Sequence, residues 1–329
     1  MSEKFFAQPE VYPWQKNIWE LLTAGFPSIG HGLLFYGKEG CGKNDFVHHF
    51  VAWVLCLDKQ KNAPCGKCSS CQWLKSDTHP NYVYISNDEE SKKTNNPIKI
   101  EKIRDLLPFV QQTVDGWRVV VIQPADALNT ASANALLKTL EEPGERVLII
   151  LITQHFLKLP ATIRSRVQRY ALDRITTKNA QDYLQQNLGV NEGAQIELLL
   201  NLANDMPLKA LDIQKQTWLG KRKEFLDDWL LLVDQKKMLM KLSMKWAKEL
   251  PFHEFQPMFD YLLSDLIAFK LNQSIRNIDL NFSNLSSYYS FDALFNIYST
   301  LQHAKGYTQQ NVQTHLIIDD LFVLLLNVK

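Results

Sequence analysis

The amino-acid sequence predicts an α/β domain built on a parallel sheet, followed by a C-terminal part made only of helices. Short apolar and β-branched runs, which are typical of buried strands, alternate with segments of helical periodicity as far as about residue 172. From Ile175 onward the strand signals stop and only helical patterns remain. Because strands that alternate with helices are joined by crossovers, the first part is expected to be a parallel sheet flanked by helices.

The composition is that of an ordinary globular protein. The chain has 329 residues with 36 basic and 35 acidic side chains, so its net charge is +1. Without a strong positive field, any contact with DNA is expected to be local or shared with partners. The N-terminus lacks the apolar segment of a signal peptide, and no apolar run approaches the roughly 20 residues of a membrane span. We therefore expect a cytoplasmic protein without disulfides.

The first predicted strand, Leu33–Tyr36, runs directly into a glycine-rich loop. The loop fits the P-loop pattern G-x-x-x-x-G-K, and a helix follows it, as this motif requires. Its N–H groups and its lysine are placed to meet a phosphate, but an asparagine stands where the pattern has Ser or Thr and is a poorer Mg²⁺ ligand. The alternative is that the glycines only make a tight turn. The candidate nucleotide-binding residues of this degenerate loop are Gly37, Gly40, Gly42, Lys43 and Asn44.

Four cysteines follow the next predicted helix with the spacing C-x8-C-x2-C-x2-C, at Cys56, Cys65, Cys68 and Cys71. Four thiolates this close together favour a tetrahedral Zn²⁺ site, which would be closed and structural. Two alternatives are an iron–sulfur cluster and unligated thiols, although the C-x3-C-P continuation common in iron–sulfur proteins is absent. The fifth cysteine, Cys41, lies in the glycine loop and is not expected to be a ligand.

A second position of the ATPase pattern is altered at the end of the predicted strand Val119–Ile122. In P-loop ATPases such a strand ends in an acidic residue that holds Mg²⁺, whereas Gln123 and Pro124 follow it here. The chain therefore looks like an ATPase scaffold that has lost its own chemistry, and ATP binding by this chain is not expected. The alternative is a working ATPase that uses Lys43 and Asp126 in unusual ways.

The other elements of the sheet domain follow the same alternation. They are the predicted strands Tyr82–Ile85, Val147–Thr153 and Gln168–Leu172 and the predicted helices Trp14–Ala24, Ile103–Val110 and Thr130–Glu141. Thr153 is either a contact for a γ-phosphate or a strand-end hydroxyl in a turn. The polar stretch Asn87–Asn96 predicts a surface loop.

The helical part is predicted to hold a small lid and a second domain. Three short helices are expected at Thr176–Asn187, Gln195–Ala203 and Pro207–Gln216, followed by long helices whose aromatic residues form a core. A run of Lys and Arg from 221 to 248 is interpreted as a solvated helix face. The predicted domains are residues 1–172, with the cysteine insert at 56–71, then residues 173–215 and 216–329.

Five features of this chain occur together: Leu34-Phe35-Tyr36-Gly37, the four-cysteine insert, His79-Pro80, the run Ala133–Pro143 and the turn Arg164-Ser165-Arg166. In this combination the sequence resembles the family of delta-prime subunits of the bacterial DNA polymerase III clamp loader. The resemblance covers approximately residues 1–215, while the last third matches only in being helical and of similar length.

The resemblance implies an AAA+ protein with a RecA-like sheet domain, a helical lid and a collar that holds a ring of five subunits. It implies a subunit of the DNA polymerase holoenzyme that does not hydrolyse ATP and acts as a stator while the sliding clamp is loaded onto primed DNA. The implied partners are the tau/gamma and delta subunits and, through the complex, the clamp and primer-template DNA. The lid arginine that senses nucleotide in ATP-hydrolysing relatives corresponds to Leu208, so this sensor is also expected to be lost.

The resemblance further implies a role for Ser165 and Arg166. Arg166 would be an arginine finger offered in trans to the ATP of the neighbouring tau/gamma subunit, where it would stabilise transition-state charge. Most members have a cysteine after this arginine, whereas this chain has Val167. One alternative is an arginine on a surface turn that pairs with Glu141 or Glu142. Another is a zinc-dependent adaptor, which would not need this turn.

Overall fold

The computed structural model describes residues 3–6, 10–87, 96–112, 115–189, 193–309 and 313–326. The chain divides into two compact units, residues 1–179 and 180–329. The division into three domains at 172 and 215 stays a prediction. Most of the predicted surface loop Asn87–Asn96 lies outside the described residues.

The described residues of the first unit form one parallel sheet of five strands. They are β1 Gly32–Tyr36, β2 Tyr82–Ile85, β3 Arg118–Ile122, β4 Val147–Thr153 and β5 Gln168–Ala171. Their order is β2-β3-β4-β1-β5, and all four pairings are parallel. The register places Leu34 of β1 opposite Leu151 of β4 and Arg169 of β5. The predicted fold class, an α/β sheet domain followed by helices, is confirmed.

The helices of this unit lie between the strands, as the alternation predicts. They are α1 Lys16–Gly25, α2 Lys43–Leu55, α3 Ser69–Lys75, α4 Ile100–Arg104, α5 Leu106–Gln111, α6 Thr130–Glu141 and α7 Ala161–Arg164. The single helix predicted over Ile103–Val110 is wrong, because two short helices meet at Asp105. Pro108 has no N–H to donate to the carbonyl of Arg104, so a continuous helix is interrupted there.

Successive residues of β1 face two different core layers. Leu34 belongs to an aliphatic layer with Val120, Ile149 and Leu136 of α6. The next residue, Phe35, packs instead against the rings of α2, with its centroid 5.3 Å from that of Phe46. This alternation, expected of a strand buried on both faces, fixes β1 between the layers, so the loop that follows β1 starts from a rigid base.

All the regular secondary structure described in the second unit is helical. Its helices, the first of which begins three residues before the unit does, are α8 Thr177–Leu188, α9 Gly193–Leu202, α10 Pro207–Gln214, α11 Trp218–Asp234, α12 Leu239–Glu249, α13 Phe252–Lys270, α14 Ser283–Ser286, α15 Phe291–Gln309 and α16 Thr314–Leu325. The three short helices and the long ones that follow are confirmed. Among the described residues, none of the helices is long and apolar enough to cross a membrane.

Aromatic side chains form the core of this unit, as expected. Phe225 stands at the centre, and its ring lies within 5.0–6.1 Å of the rings of Trp229, Trp246, Phe255, Phe259 and Phe322. Trp229 also donates from its Nε1 to the hydroxyl of Tyr289 at 2.8 Å, which satisfies the indole N–H inside the core.

The interpretation of the basic run as a solvated face is wrong for Arg222, which is only 5% exposed. Its Nη1 donates to Oδ1 of Asn277 at 2.5 Å, and its two Nη atoms donate to the carboxylate of Asp279 at 3.0 and 2.9 Å. Asn277 in turn donates to the buried carboxylate of Asp265 at 2.6 Å. Arg222 therefore belongs to a buried polar network that ties α11 to the segment after α13.

The nucleotide-type loop, the arginine turn and the cysteine cluster

The glycine loop connects β1 to α2 in the way the sequence predicts. Gly42 is the N-cap of α2 and has φ 79°, in the left-handed region that favours glycine. A Cβ at this position would lie 2.6 Å from ring carbons of Tyr12, so the close packing also requires glycine. Gly42 is therefore required here, and the loop lies between a strand and a helix, which is the context of a P-loop.

The back of the loop is held by Trp14 and Gln15, which the sequence predicted only as the start of a helix. Gln15 is fully buried, and its Nε2 donates to the carbonyls of Cys41 and Gly42, both at 3.0 Å. Trp14 donates from Nε1 to the same Cys41 carbonyl at 3.0 Å. Burial raises the pKa of the Cys41 thiol, which favours its neutral form. The loop is therefore held in place by side chains of the protein itself.

The front of the loop carries charges that bond to the loop itself. The side chain of Lys43 is buried, and its Nζ donates to the carbonyl of Lys38 at 3.4 Å. The backbone N–H of Lys38 donates to Oδ2 of Asp173 at 3.2 Å. A carboxylate therefore already bonds to an N–H of the loop. Because phosphate is also an anion, this carboxylate opposes phosphate binding there.

The two substituted positions of the ATPase pattern meet in space. Nε2 of Gln123, after β3, donates to Oδ1 of Asn44, at the start of α2, at 3.0 Å. The hydroxyl of Tyr84 donates to Oε1 of the same Gln123 at 3.3 Å. In P-loop ATPases a hydroxyl and an acid at these positions hold Mg²⁺. Here two neutral amides bond to each other, so neither position carries a negative charge and one lone pair of the Asn44 amide oxygen is taken by a donor.

Asp126 and Thr153 form a separate contact. Oγ1 of Thr153 donates to Oδ1 of Asp126 at 2.5 Å and accepts from the backbone N–H of His155 at 2.9 Å. Within the described chain, neither side chain is hydrogen-bonded to the glycine loop. The geometry favours the interpretation of Thr153 as a strand-end hydroxyl in a turn.

Arg166 lies on a turn between α7 and β5. Its Nε donates to Oε1 of Glu141 at 2.7 Å, and its Nη2 is 2.5 Å from the same oxygen. Its Nη1 donates to the carbonyl of Thr162 at 3.0 Å and to the hydroxyl of Ser165 at 3.4 Å. The structure thus brings together the two residues of the predicted pair. It also contains the ion pair with Glu141 that the alternative interpretation expects.

The four clustered cysteines have a geometry that suits a tetrahedral metal ion. The Sγ atoms of Cys56 and Cys68 are 3.9 Å apart, those of Cys65 and Cys71 are 4.0 Å apart, and all four lie within 4.8 Å of one another. Zn–S bonds of about 2.3 Å place the sulfurs of a tetrahedral site about 3.8 Å apart. The sulfurs therefore lie close to the spacing that Zn²⁺ requires, and Cys41 is outside the cluster.

The backbone around the cluster stabilises negative charge on sulfur. The N–H of Cys65 donates to Sγ of Cys56, and the N–H of Cys68 donates to Sγ of Cys65, both at 3.3 Å. For Cys68, burial acts to raise the thiol pKa, but hydrogen bonds from backbone N–H groups prevail and lower it to about 6. Burial raises the pKa of Cys71, so the thiols do not share one environment.

His79, one of the residues shared with the resembled family, joins the cysteine region to the sheet. Its Nε2 lies 2.8 Å from Oγ of Ser70, and its Nδ1 accepts from the N–H of Asn81 at 3.0 Å. Since Ser70 donates its own proton to the carbonyl of Leu55 at 2.7 Å, the imidazole must donate from Nε2. The ring is therefore neutral, and burial lowers the pKa of His79 to about 4.

Comparisons with known proteins agree with this arrangement. Residues 14–176 match the family model described as DNA polymerase III, delta subunit. The chain is 34% identical over 239 residues to DNA polymerase III subunit delta' of Pseudomonas aeruginosa, an alignment that covers 72% of this chain and 71% of the relative. It is 29% identical over 212 residues to the delta' subunit of Escherichia coli, with 63% and 62% covered. It is 31% identical over 193 residues to subunit tau of Bacillus subtilis, with 57% and 33% covered.

Proposed function

The chain belongs to the family of DNA polymerase III delta-prime subunits, and on that premise we propose that it is a clamp-loader subunit that does not hydrolyse ATP itself. Its partners would be tau/gamma and delta subunits in a ring of five. Through that complex it would act on the sliding clamp and primer-template DNA. It would serve as a stator, and Arg166 would complete the ATPase site of a neighbouring tau/gamma subunit.

The observation that carries this proposal is the hydrogen bond between Asn44 and Gln123. Mg²⁺ in an ATPase site takes oxygen ligands in near-octahedral geometry and bridges the β- and γ-phosphates. The two amides offer no negative charge, and the bond from Gln123 occupies one of the two lone pairs of Asn44 Oδ1. The carboxylate of Asp173 at the Lys38 N–H adds repulsion toward a phosphate. Loss of hydrolysis is thus supported at two points of the loop.

The finger role of Arg166 is supported by its exposure and by its local supports. The side chain is 37% exposed and lies beside Ser165 and the carbonyl of Thr162. A guanidinium held at a surface can reach a phosphate bound by another subunit. Arginine fingers in other systems accelerate hydrolysis by roughly 10³–10⁵-fold.

For the cysteine cluster we propose a structural Zn²⁺ bound by Cys56, Cys65, Cys68 and Cys71. The sulfur separations fit the ion, and four protein ligands leave no open coordination position for substrate. The ion would join the end of α2 to the start of α3, and the contact from Ser70 to His79 would carry this link to β2.

Two measurements test the proposal. The purified chain with Mg²⁺ and ATP, with or without primed DNA, should show no turnover. Hydrolysis at the rate of an ordinary AAA+ ATPase would favour the working-ATPase alternative instead.

The second measurement uses an assembled loader in which the other ATPase sites are inactivated through their own P-loop lysines. Arg166→Ala should slow hydrolysis at the neighbouring site by roughly 10³-fold. Arg169→Ala is the matched control, because Arg169 is an exposed arginine on β5 that stacks on Phe156 and is not part of the turn. An Arg166→Ala loader as fast as this control would exclude the finger.

A further inference from the structure

The guanidinium of Arg166 is held from one side by a single carboxylate. Nε and Nη2 both reach Oε1 of Glu141, at 2.7 and 2.5 Å, while Nη1 donates to the carbonyl of Thr162 at 3.0 Å. Glu141 is 51% exposed and Arg166 is 37% exposed. The guanidinium therefore has bonded partners on both Nε–Nη2 and Nη1, although it stays open to solvent.

Glu141 occupies a helix position that does not favour a carboxylate. It is the last residue of α6, where the unpaired carbonyls of a helix end carry partial negative charge. His31 donates from Nε2 to the carbonyl of Leu140 at 2.7 Å and so fixes this helix end beside the start of β1. The stability of α6 does not account for an acid here, whereas the contact with Arg166 does.

A guanidinium has two edges that can each take paired oxygen acceptors, Nε–Nη2 and Nη1–Nη2. Glu141 occupies the first edge. On the second edge, Nη1 already donates to the carbonyl of Thr162 and to the hydroxyl of Ser165, whereas one N–H of Nη2 has no acceptor among the described residues. We propose that Glu141 is the positioning residue of Arg166, holding the Nε–Nη2 edge of the guanidinium so that the remaining N–H of Nη2 is presented to the γ-phosphate bound by the neighbouring subunit. This inference rests on the proposed finger role of Arg166.

Such positioning matters because a free arginine side chain samples many rotamers, and a donor contributes most to catalysis when it needs no rearrangement. A different role for the same carboxylate makes the opposite prediction. If Glu141 competed with phosphate for the guanidinium, its removal would speed hydrolysis. Gln at position 141 keeps an acceptor oxygen without the charge, and Ala removes both. The two substitutions therefore separate hydrogen-bonded positioning from electrostatic competition.

The experiment measures kcat and KM for ATP in the assembled loader, with only the site next to this subunit active. The variants are Glu141→Ala, Glu141→Gln, Arg166→Ala and the double variant of Glu141→Ala with Arg166→Ala. Glu142→Ala is the matched control, since Glu142 is an exposed acid at the same helix end and has no bond to Arg166 in the described structure. Thermal unfolding of each isolated subunit checks that α6 and α7 remain folded.

We expect Glu141→Ala to lower kcat about tenfold with KM little changed, and Glu141→Gln to lower it by less than about threefold. Glu142→Ala should match the wild type, and Glu141→Ala should add nothing in the Arg166→Ala background. A rate equal to or above the wild type in Glu141→Ala overturns the positioning role. An equal loss in both backgrounds assigns Glu141 a structural role instead. If Arg166→Ala hydrolyses ATP at the wild-type rate, both the finger role and the positioning role are excluded. If Arg166→Ala is slow while Glu141→Ala has the wild-type rate, only the positioning role is overturned.

Discussion

Acidification should destabilise the first unit through His79, the buried imidazole that links the cysteine region to the sheet. In the folded chain its Nε2 donates to Ser70 and its Nδ1 accepts from the N–H of Asn81. Protonation would place a second N–H against the N–H of Asn81 inside a site where His79 is only 8% exposed. The folded protein therefore resists taking up this proton.

The size of the effect follows from the two pKa values. Burial lowers the pKa of His79 to about 4 in the folded state, against about 6.5 in an unfolded chain. Because the folded value is the lower one, the unfolded chain binds the proton more readily, and stability is lost as the pH falls from about 6.5 toward 4. Between pH 7 and pH 5 the free energy of unfolding should decrease by about 2 kcal/mol from this residue alone.

The assay is urea unfolding of the wild type and His79→Gln at half-unit steps between pH 7.5 and pH 5. Glutamine can donate to Ser70 from a similar position but does not titrate in this range. The variant should therefore be less sensitive to pH by about 2 kcal/mol across the window, whatever its stability at pH 7. Protonation of the cysteines, and loss of any metal ion they hold, would change the free energy of unfolding of both proteins. These effects therefore cancel in the difference between the wild type and His79→Gln. Parallel pH profiles would refute the reasoning.

The remaining predictions concern the second unit and the cysteine cluster. Arg222→Ala should lower the free energy of unfolding by about 2–4 kcal/mol, because it removes hydrogen bonds to charged and buried groups. Chemical denaturation measures this loss, and Lys223→Ala, at an exposed position of the same helix, is the control. A loss no larger than that of the control would contradict the buried network. Metal analysis of the dialysed wild type should give about one zinc per chain, and Cys68→Ser should lose it while Cys41→Ser keeps it. Full zinc content in Cys68→Ser would exclude this residue as a ligand.

The elements with unambiguous local signals were predicted well from the sequence. The strand Val147–Thr153 and the helix Thr130–Glu141 have the predicted bounds, because a short apolar run rich in β-branched residues favours a buried strand and a strong helical period favours a helix. The cysteine cluster could also be predicted, because its four cysteines lie close together in the sequence. The division into two helices at Asp105 could have been predicted too, because Pro108 has no N–H to donate to the carbonyl of Arg104.

The contacts that the sequence did not predict join residues that are far apart in the chain. Gln15 and the Cys41 carbonyl are separated by 26 positions, and Lys38 and Asp173 by 135. No local pattern marks such partners. The burial of Arg222 was not predicted for a different reason: the residue lies in a run of basic side chains, which indicates a solvated helix face. It shares a helix face with Trp218 and Phe225, and that periodicity indicates burial.

The paired amides of Asn44 and Gln123 also bear on how such a subunit changes over evolutionary time. A single replacement, of Asn44 by threonine or of Gln123 by aspartate, would restore one metal ligand and leave the other position an amide. Each intermediate would still lack one of the two Mg²⁺ ligands of the ATPase pattern, and each would lose the hydrogen bond that now joins α2 to the end of β3. If the proposed loss of hydrolysis holds, an active site would require both replacements together, and the first of them alone would already remove the contact between α2 and the end of β3.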